Sequence, residues 1–358
     1  MATADPTYPL FPIASILAAV VLLLIFLTSF IRQSWNIGVA FLCFWLFFEN
    51  LANGIKAIIW ADNADIKLYV YCDIVTHMQL ITFVVKPMAT LIITRRLYLI
   101  TSLQSVELPH KAARRKNLAI EWTLGLAIPM LVAGPFYYII QGLRFEVVEG
   151  FGCSNAQDGT ILNILLVESW AVIPPLLSVI VYYPKVVRIF YRQSQDINRF
   201  LQSNNSVSRT NYIRILFLAS IDVILTLPIG IVTITLAVVG PLSAGEGLPV
   251  YRGWTFDHTG WEPQGITRDQ FGDQGTFAVV QLYFIQWTIP VLAFTIFGLF
   301  GVTAEARASY WRIICTICGW FGWQPTPRAL RTLPPVGDIE FGERPMDIEI
   351  ECVPSSAP

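Results

Sequence analysis

Seven apolar runs alternate with polar segments along this chain, at roughly 10–31, 36–60, 71–98, 118–141, 161–187, 213–239 and 276–302. About 20 mostly apolar residues cross a bilayer as a helix, and longer runs fit by tilting. The pattern predicts an all-α membrane protein, a seven-transmembrane helix bundle. The stretch from Tyr71 to Ile100 organises it, with Cys72 at one end, Arg95 and Arg96 at the other, and Lys86 beside Pro87 near the middle. A lysine at mid-bilayer depth is costly, so it is expected to face other helices or water.

The second span is the most polar. Glu49, Asn50, Asn53 and Lys56 lie within it, and the i, i+3 spacings of Asn50, Asn53 and Lys56 put those three on one helix face. Glu49 and Lys86 fall at similar depth on neighbouring spans. An ion pair is expected there, which would offset part of the cost of each charge; the alternative is a protonated Glu49 with Lys86 reaching a water-filled cavity. Pro228 and Pro290 fall within the sixth and seventh spans, where a missing backbone donor kinks a helix.

Charge fixes the expected orientation. With the N-terminus outside, the inner segments hold Arg32; Arg95, Arg96, Lys111, Arg114, Arg115 and Lys116; Lys185, Arg188, Arg192, Arg199, Arg209 and Arg214; and Arg307, Arg312, Arg328, Arg331 and Arg344. The outer segments hold only Lys67, Arg144, Arg252 and Arg268. Basic residues favour the cytoplasmic side, so the C-terminus is expected inside the cell. Residues 1–9 contain Asp5 and no Lys or Arg; the first run is therefore expected to be kept as a span rather than cleaved as a signal peptide. Residues 1–9 form an outer tail, 10–302 the bundle, 303–323 an amphipathic juxtamembrane segment and 324–358 a disordered cytoplasmic tail.

Composition narrows the function. The chain is 54% hydrophobic and 14% charged, against about 25% charged in soluble domains. No basic face survives outside the spans, which excludes a nucleic-acid partner. No nucleophile–base set, metal cluster or phosphate loop stands out, so neither an enzyme nor a cofactor is expected. A retinal protein would need a lysine in the seventh span, which has none. A transporter would show an internal repeat; none is evident, although Glu49, Lys86, Glu121, Glu168 and Asp222 leave an ion pathway conceivable.

The segments between spans carry the remaining chemistry. Cys72 and Cys153 share the oxidising side, where each has only the other as a partner; a disulfide is expected there, against two free thiols. Cys315 and Cys318 form a lone CxxC without further zinc ligands nearby. They are weak palmitoylation candidates. Asn204-Asn205-Ser206 matches a glycosylation sequon but lies on the inner side, so no sugar is expected. The outer segment 240–275 is too long for a simple connection. It reads either as a lid or ligand-gathering surface, or as an expanded loop.

Four stretches resemble a known family: NIGVAFLCFWLFFENLANGIKAIIW at 36–60, YCDIVTHMQLITFVVKPMATLIITRRLYLI at 71–100, GPFYYIIQGLRFEVVEGFGC at 134–153 and RFLQSNNSVSRTNYIRILFLASIDVILTLP at 199–228. They are similar to fungal mating-pheromone receptors of the a-factor type, the class D seven-helix receptors. The most specific part is Gln141-Gly142, Arg144-Phe145 and Gly152-Cys153; Leu143 stands where members often have histidine. The resemblance implies a multi-pass G-protein-coupled receptor of the plasma membrane, whose ligand is a short peptide with a farnesylated C-terminal cysteine. The peptide would meet the outer loops and the Asn50–Asn53 face, with Lys86, Arg144 and Glu168 as further candidate contacts. The read-out would be nucleotide exchange on a heterotrimeric G protein at 101–117, 188–214 and the inner helix ends. Arg95, Arg96, Arg199, Arg209 and Arg214 are the candidates for that face, each also readable as a simple topology determinant. The lipid bilayer and further copies of the chain complete the set of partners. A constitutively active or orphan receptor of the same fold is the competing function, and a transporter a more distant one.

Overall fold

A computed structural model describes residues 6–32, 37–102, 111–192, 209–243, 247–272, 276–302, 326–327 and 350–351. Among them are seven long helical runs: α1 (Leu10–Arg32), α2 (Ile37–Ile59), α3 (Tyr69–Ser102), α4 (111–140), α5 (161–192), α6 (Arg209–Ser243) and α7 (276–301). Six of these, all but α6, are long and apolar enough to cross a membrane. Helix α6 is 35 residues long and includes the shorter apolar stretch Gly230–Val239. Arg199, Cys315, Cys318 and the segment 303–323 lie outside the described residues. The chain divides into two units, 1–299 and 300–358. In the second, Thr326–Pro327 pairs antiparallel with Ile350–Glu351.

Helix α3 is the most enclosed: 72% of its span is buried, against 28–50% for the other five candidate spans. It packs on α2, α4, α5 and α6, while α1 lies against α2 and α7. Leu80, Val84, Val85 and Met88 of α3 meet Val132, Ala133 and Tyr137 of α4 and Val167 of α5 in one buried cluster. Such runs are apolar on most sides because lipid and protein both reward an apolar surface. Several threonines within the helices satisfy their hydroxyls locally. The Thr94 hydroxyl donates to the Thr90 carbonyl at 2.9 Å and lies 3.1 Å from Ser178 Oγ of α5.

Helices α4 and α5 are not regular. Wide π-turns interrupt them at Thr123–Ala127, Val132–Phe136, Ile164–Glu168 and Ser178–Tyr182. Pro129, Pro135, Pro174 and Pro175 lie among them. Proline lacks an N–H and crowds the carbonyl four residues earlier, and a local π-turn is one way a helix absorbs this.

A small sheet caps one end of the bundle. Strands β1 (Glu146–Val148) and β2 (Gly152–Ser154) form an antiparallel hairpin. Strand β3 (Gln264–Ile266) joins β1 in parallel, with Glu146 opposite Gln264. The described part of the long segment between α6 and α7, 247–272, is therefore folded rather than expanded. It holds β3 and two short helical turns, Trp254–Asp257 and Arg268–Gly272. The amides of Ile161 and Leu162 donate to the carbonyls of Pro249 and Val250, both at 3.0 Å, tying it to the start of α5.

Candidate functional site

One disulfide among the described residues joins the cap covalently to the helices. Cys72, near the start of α3, is bridged to Cys153 of β2 across a Cα–Cα distance of 5.4 Å. The Cys153 carbonyl also accepts from Lys56 Nζ at 3.1 Å and Gln79 Nε2 at 3.3 Å, so α2 and α3 both grip the strand. Lys56 is 1% exposed; ending its ammonium on a carbonyl inside the protein answers part of its desolvation. Trp60, Phe145 and Val147 pack around the bridge. Gly152 has a φ of +73°, and a Cβ there would fall 2.7 Å from the Trp60 ring and 2.9 Å from Lys56 Cβ. Only glycine meets both the left-handed backbone and this approach.

Beside this anchor, Arg144 grips Asp73 through two bonds, Nε to Oδ1 at 2.9 Å and Nη2 to Oδ2 at 2.5 Å. The fork of the guanidinium matches a carboxylate in this geometry. The hydrogen bonds that Arg144 donates to the Asp73 carboxylate hold its guanidinium above its already high ordinary range. The guanidinium also lies over the Tyr69 ring, 5.4 Å from its centroid. Gln141 Nε2 donates to the Arg144 carbonyl at 2.7 Å. His77 Nδ1 stands 2.7 Å from the Asp73 carbonyl, one helical turn away. Asp73, His77, Tyr138, Gln141, Arg144 and Trp261 line an open polar cup of about 440 Å³.

A second cavity of about 510 Å³ shares the walls Asp73 and His77. Its other lining residues are Phe44, Trp45 and Phe48 of α2 and Ile74, Met78 and Ile81 of α3. The cup and an apolar groove between two helices thus lie on either side of a shared wall, Asp73 and His77. A ligand with one polar and one apolar end fits this pair of surfaces.

The cap also holds carboxyls in unfavourable surroundings. Burial pushes Glu146 of β1 above the usual carboxylate range. Asp158 is pushed up by burial, and Arg252 at 3.3 Å draws it partly back. Asp257 is raised by burial and then by Asp158, while His258 and Arg252 act the other way.

Of the five candidate ligand contacts, only Arg144 lines the cup. Asn50 and Asn53 are 0% and 2% exposed. Asn50 donates to the Leu46 carbonyl at 2.8 Å, and the polar face of α2 is turned into the bundle, away from the cup. Lys86 lies 3.6 Å from Glu49 across the α2–α3 contact. Glu168 ends a π-turn of α5, and its Oε2 is enclosed without a hydrogen-bond partner among the described residues. Asp73, His77, Tyr138, Gln141 and Trp261 were missed as lining residues. Asp73 and His77 had a readable signal, two polar side chains at i, i+4 on an otherwise apolar stretch.

At the other end of α3, Arg95 Nη2 donates to Asn117 Oδ1 at 2.6 Å and Arg96 lies 3.9 Å from Glu121, both on α4. Arg209 opens α6 and Arg214 is half-buried one turn further on. From Asp73 to Arg95 is about 33 Å at 1.5 Å per residue, close to the hydrocarbon thickness of a bilayer. The cup and the arginine pair therefore lie at opposite margins.

A bundle of long apolar helices with a disulfide-pinned cap is the class of a multi-span membrane protein, and comparison narrows it. The model of the STE3 family, described as pheromone A receptor, matches residues 10–319. The chain belongs to this family of fungal pheromone receptors. It is 30% identical over 334 residues to the pheromone B alpha 3 receptor of Schizophyllum commune, covering 92% of this chain and 51% of that protein. It is 27% identical over 292 residues to pheromone receptor 1 of Ustilago hordei, covering 81% and 79%. To the pheromone a factor receptor of Saccharomyces cerevisiae it is 26% identical over 286 residues, covering 79% and 57%. The chain spans about half the length of the Schizophyllum relatives it matches.

Proposed function

We propose that this chain is a plasma-membrane receptor for a short peptide pheromone with a farnesylated C-terminal cysteine. It spans the bilayer seven times, with its N-terminus outside and C-terminus in the cytoplasm, and activates a heterotrimeric G protein to start the mating response. The observation that carries the reading is a polar cup beside an apolar groove, with Asp73 and His77 as walls of both. The peptide engages the cup, where Arg144 and Asp73 offer both charges. The prenyl chain enters the groove between α2 and α3, since hydrocarbon favours it by about 0.8 kcal/mol per buried CH₂. Binding shifts the bundle only as far as the ligand distinguishes its active and inactive states. Arg95, Arg96, Arg199, Arg209 and Arg214 serve the cytoplasmic face, and the excess of inner basic residues supports that orientation.

The test is nucleotide exchange on a fungal heterotrimeric G protein in membranes containing the chain. Farnesylated peptides should raise exchange, their unprenylated forms should not, and Arg144→Ala should raise the half-maximal concentration about tenfold or more, the loss of one charge-assisted contact. High exchange without peptide would replace this reading with constitutive signalling. No exchange from a correctly inserted chain across a broad peptide panel would refute it.

A further inference from the structure

The outer segment closes over the cup through one ring not used above. His258 stacks on Trp254 at 4.0 Å between centroids and meets Trp261 edge-on at 4.8 Å and Tyr138 at 5.0 Å. Both of its nitrogens face carbonyl oxygens: Nδ1 lies 2.9 Å from that of Trp254, and Nε2 3.1 Å from that of Tyr138. A neutral imidazole has one N–H and one lone pair. One of the two contacts would then set a lone pair against a lone pair. Only the imidazolium donates to both. The surrounding rings suit a cation, because the face of an aromatic ring attracts positive charge.

The charges nearby agree. Asp257, the preceding residue, is 1% exposed, and neither of its carboxylate oxygens has a hydrogen-bond partner among the described residues. Asp158, between β2 and α5, and Arg252 complete a small network with it, beside the Tyr251 phenol. From α4 the Tyr138 phenol ring faces His258, and Asp73, His77 and Arg144 line the cup beyond. Tyr138 and Trp261, two walls of the aromatic box, are also walls of that cup.

We propose that His258 is a proton-operated clasp. Protonated, it pins residues 254–261 to the end of α4 and sets Tyr138 and Trp261 as walls of the cup. On losing its proton it gives up one of its two bonds, and the segment loosens. Histidine is the side chain suited to such a switch near neutral pH. The clasp needs no pheromone, so its test is separate from that of the proposed ligand.

The experiment is hydrogen–deuterium exchange of the full chain in nanodiscs, without ligand, between pH 5 and pH 8 after correction for intrinsic rates. The reporters are the amides of Asp257 and His258, which donate to Gly253 and Trp254 at 3.1 Å. Their protection should fall about tenfold as pH rises, the worth of one charge-assisted bond. His258→Gln should show the weaker protection at every pH. Asp257→Asn should keep the step, which assigns it to the ring rather than the neighbouring carboxylate. Trp261→Leu should move the step to lower pH, because the cation loses part of its box. Protection that does not change with pH in the native chain overturns the clasp. So does an undiminished step in His258→Gln, or a step that Trp261→Leu leaves in place.

Discussion

The contact between Glu49 and Lys86 makes a prediction that double mutants can test. The two groups lie 3.6 Å apart, with side chains 5% and 12% exposed. At an effective dielectric of about 20 their attraction is about 4.6 kcal/mol. Desolvating both ions consumes most of that gain, so the pair contributes little net stability. Removing one partner is different, because it strands a buried charge at a cost of about 3–5 kcal/mol. The two deletions are unequal, since Lys56 also lies in the field of Glu49. Lys86→Met leaves Glu49 with Lys56, whereas Glu49→Gln leaves two lysines without a carboxylate. Glu49→Gln is expected to lower the Tm of the purified receptor by about 6–10 °C, at about 2 °C per kcal/mol for a chain of this size. Lys86→Met should cost less, and the double variant should recover most of the loss. A detergent-based thermal unfolding assay measures all three. If the double variant loses the sum of the singles, the two groups are not coupled and the reasoning fails.

Three further outcomes follow from the cap. Gly152→Ala should cost roughly 1–3 kcal/mol in crowding plus about 1–2 kcal/mol for the left-handed backbone, read as loss of surface expression and Tm; a native Tm would contradict the packing described. Replacing Cys72 and Cys153 together with serine opens a link across 81 residues, for which chain entropy sets a ceiling of about 4.5 kcal/mol and typical cases give 2–4. An unchanged Tm in the double serine variant would mean the cap is held by its other contacts alone. Glu146 has its carboxyl raised by burial, so the protonated form is the one folding favours. Its stabilising contribution is present in acid and lost as pH rises from the ordinary carboxylate value near 4.3 through the higher folded one. Glu146→Gln should therefore raise Tm at pH 7 and leave it unchanged well below pH 4; equal gains at both would show that the charge is not the cause.

Helices were legible here because their signal is long. An apolar run of twenty residues names a span whatever it packs against, and a lysine at position 86 announces that α3 faces protein. The same reasoning placed Glu49 beside Lys86, since both depths could be counted from the span ends. The cap left no comparable trace. Strands of three residues are too short for alternation to register, and the parallel partner of β1 lies more than a hundred residues away. The prolines of α4 and α5 were visible, but whether a proline yields a kink or a π-turn depends on neighbours that a linear pattern does not contain. Asn50 and Asn53 were expected to meet the ligand through the family resemblance and their shared helix face. They point into the contacts with neighbouring helices, and the cup is built instead from side chains near the ends of α3 and α4 and from two outer segments.

The parallel pairing of β1 with β3 also bears on how the receptor is made. Strand β1 gains β2 almost as soon as it is synthesised, but its other edge stays open until residue 264 emerges. At about 5–20 residues per second that wait is roughly 6–24 seconds. An unpaired edge invites pairing with foreign strands, so nascent chains pass through a vulnerable interval before the third strand arrives. A chain cut between α5 and α6 would keep that edge open permanently. Supplied separately, the remaining piece brings the missing strand, which makes the cap a natural seam for reassembling the receptor from two halves.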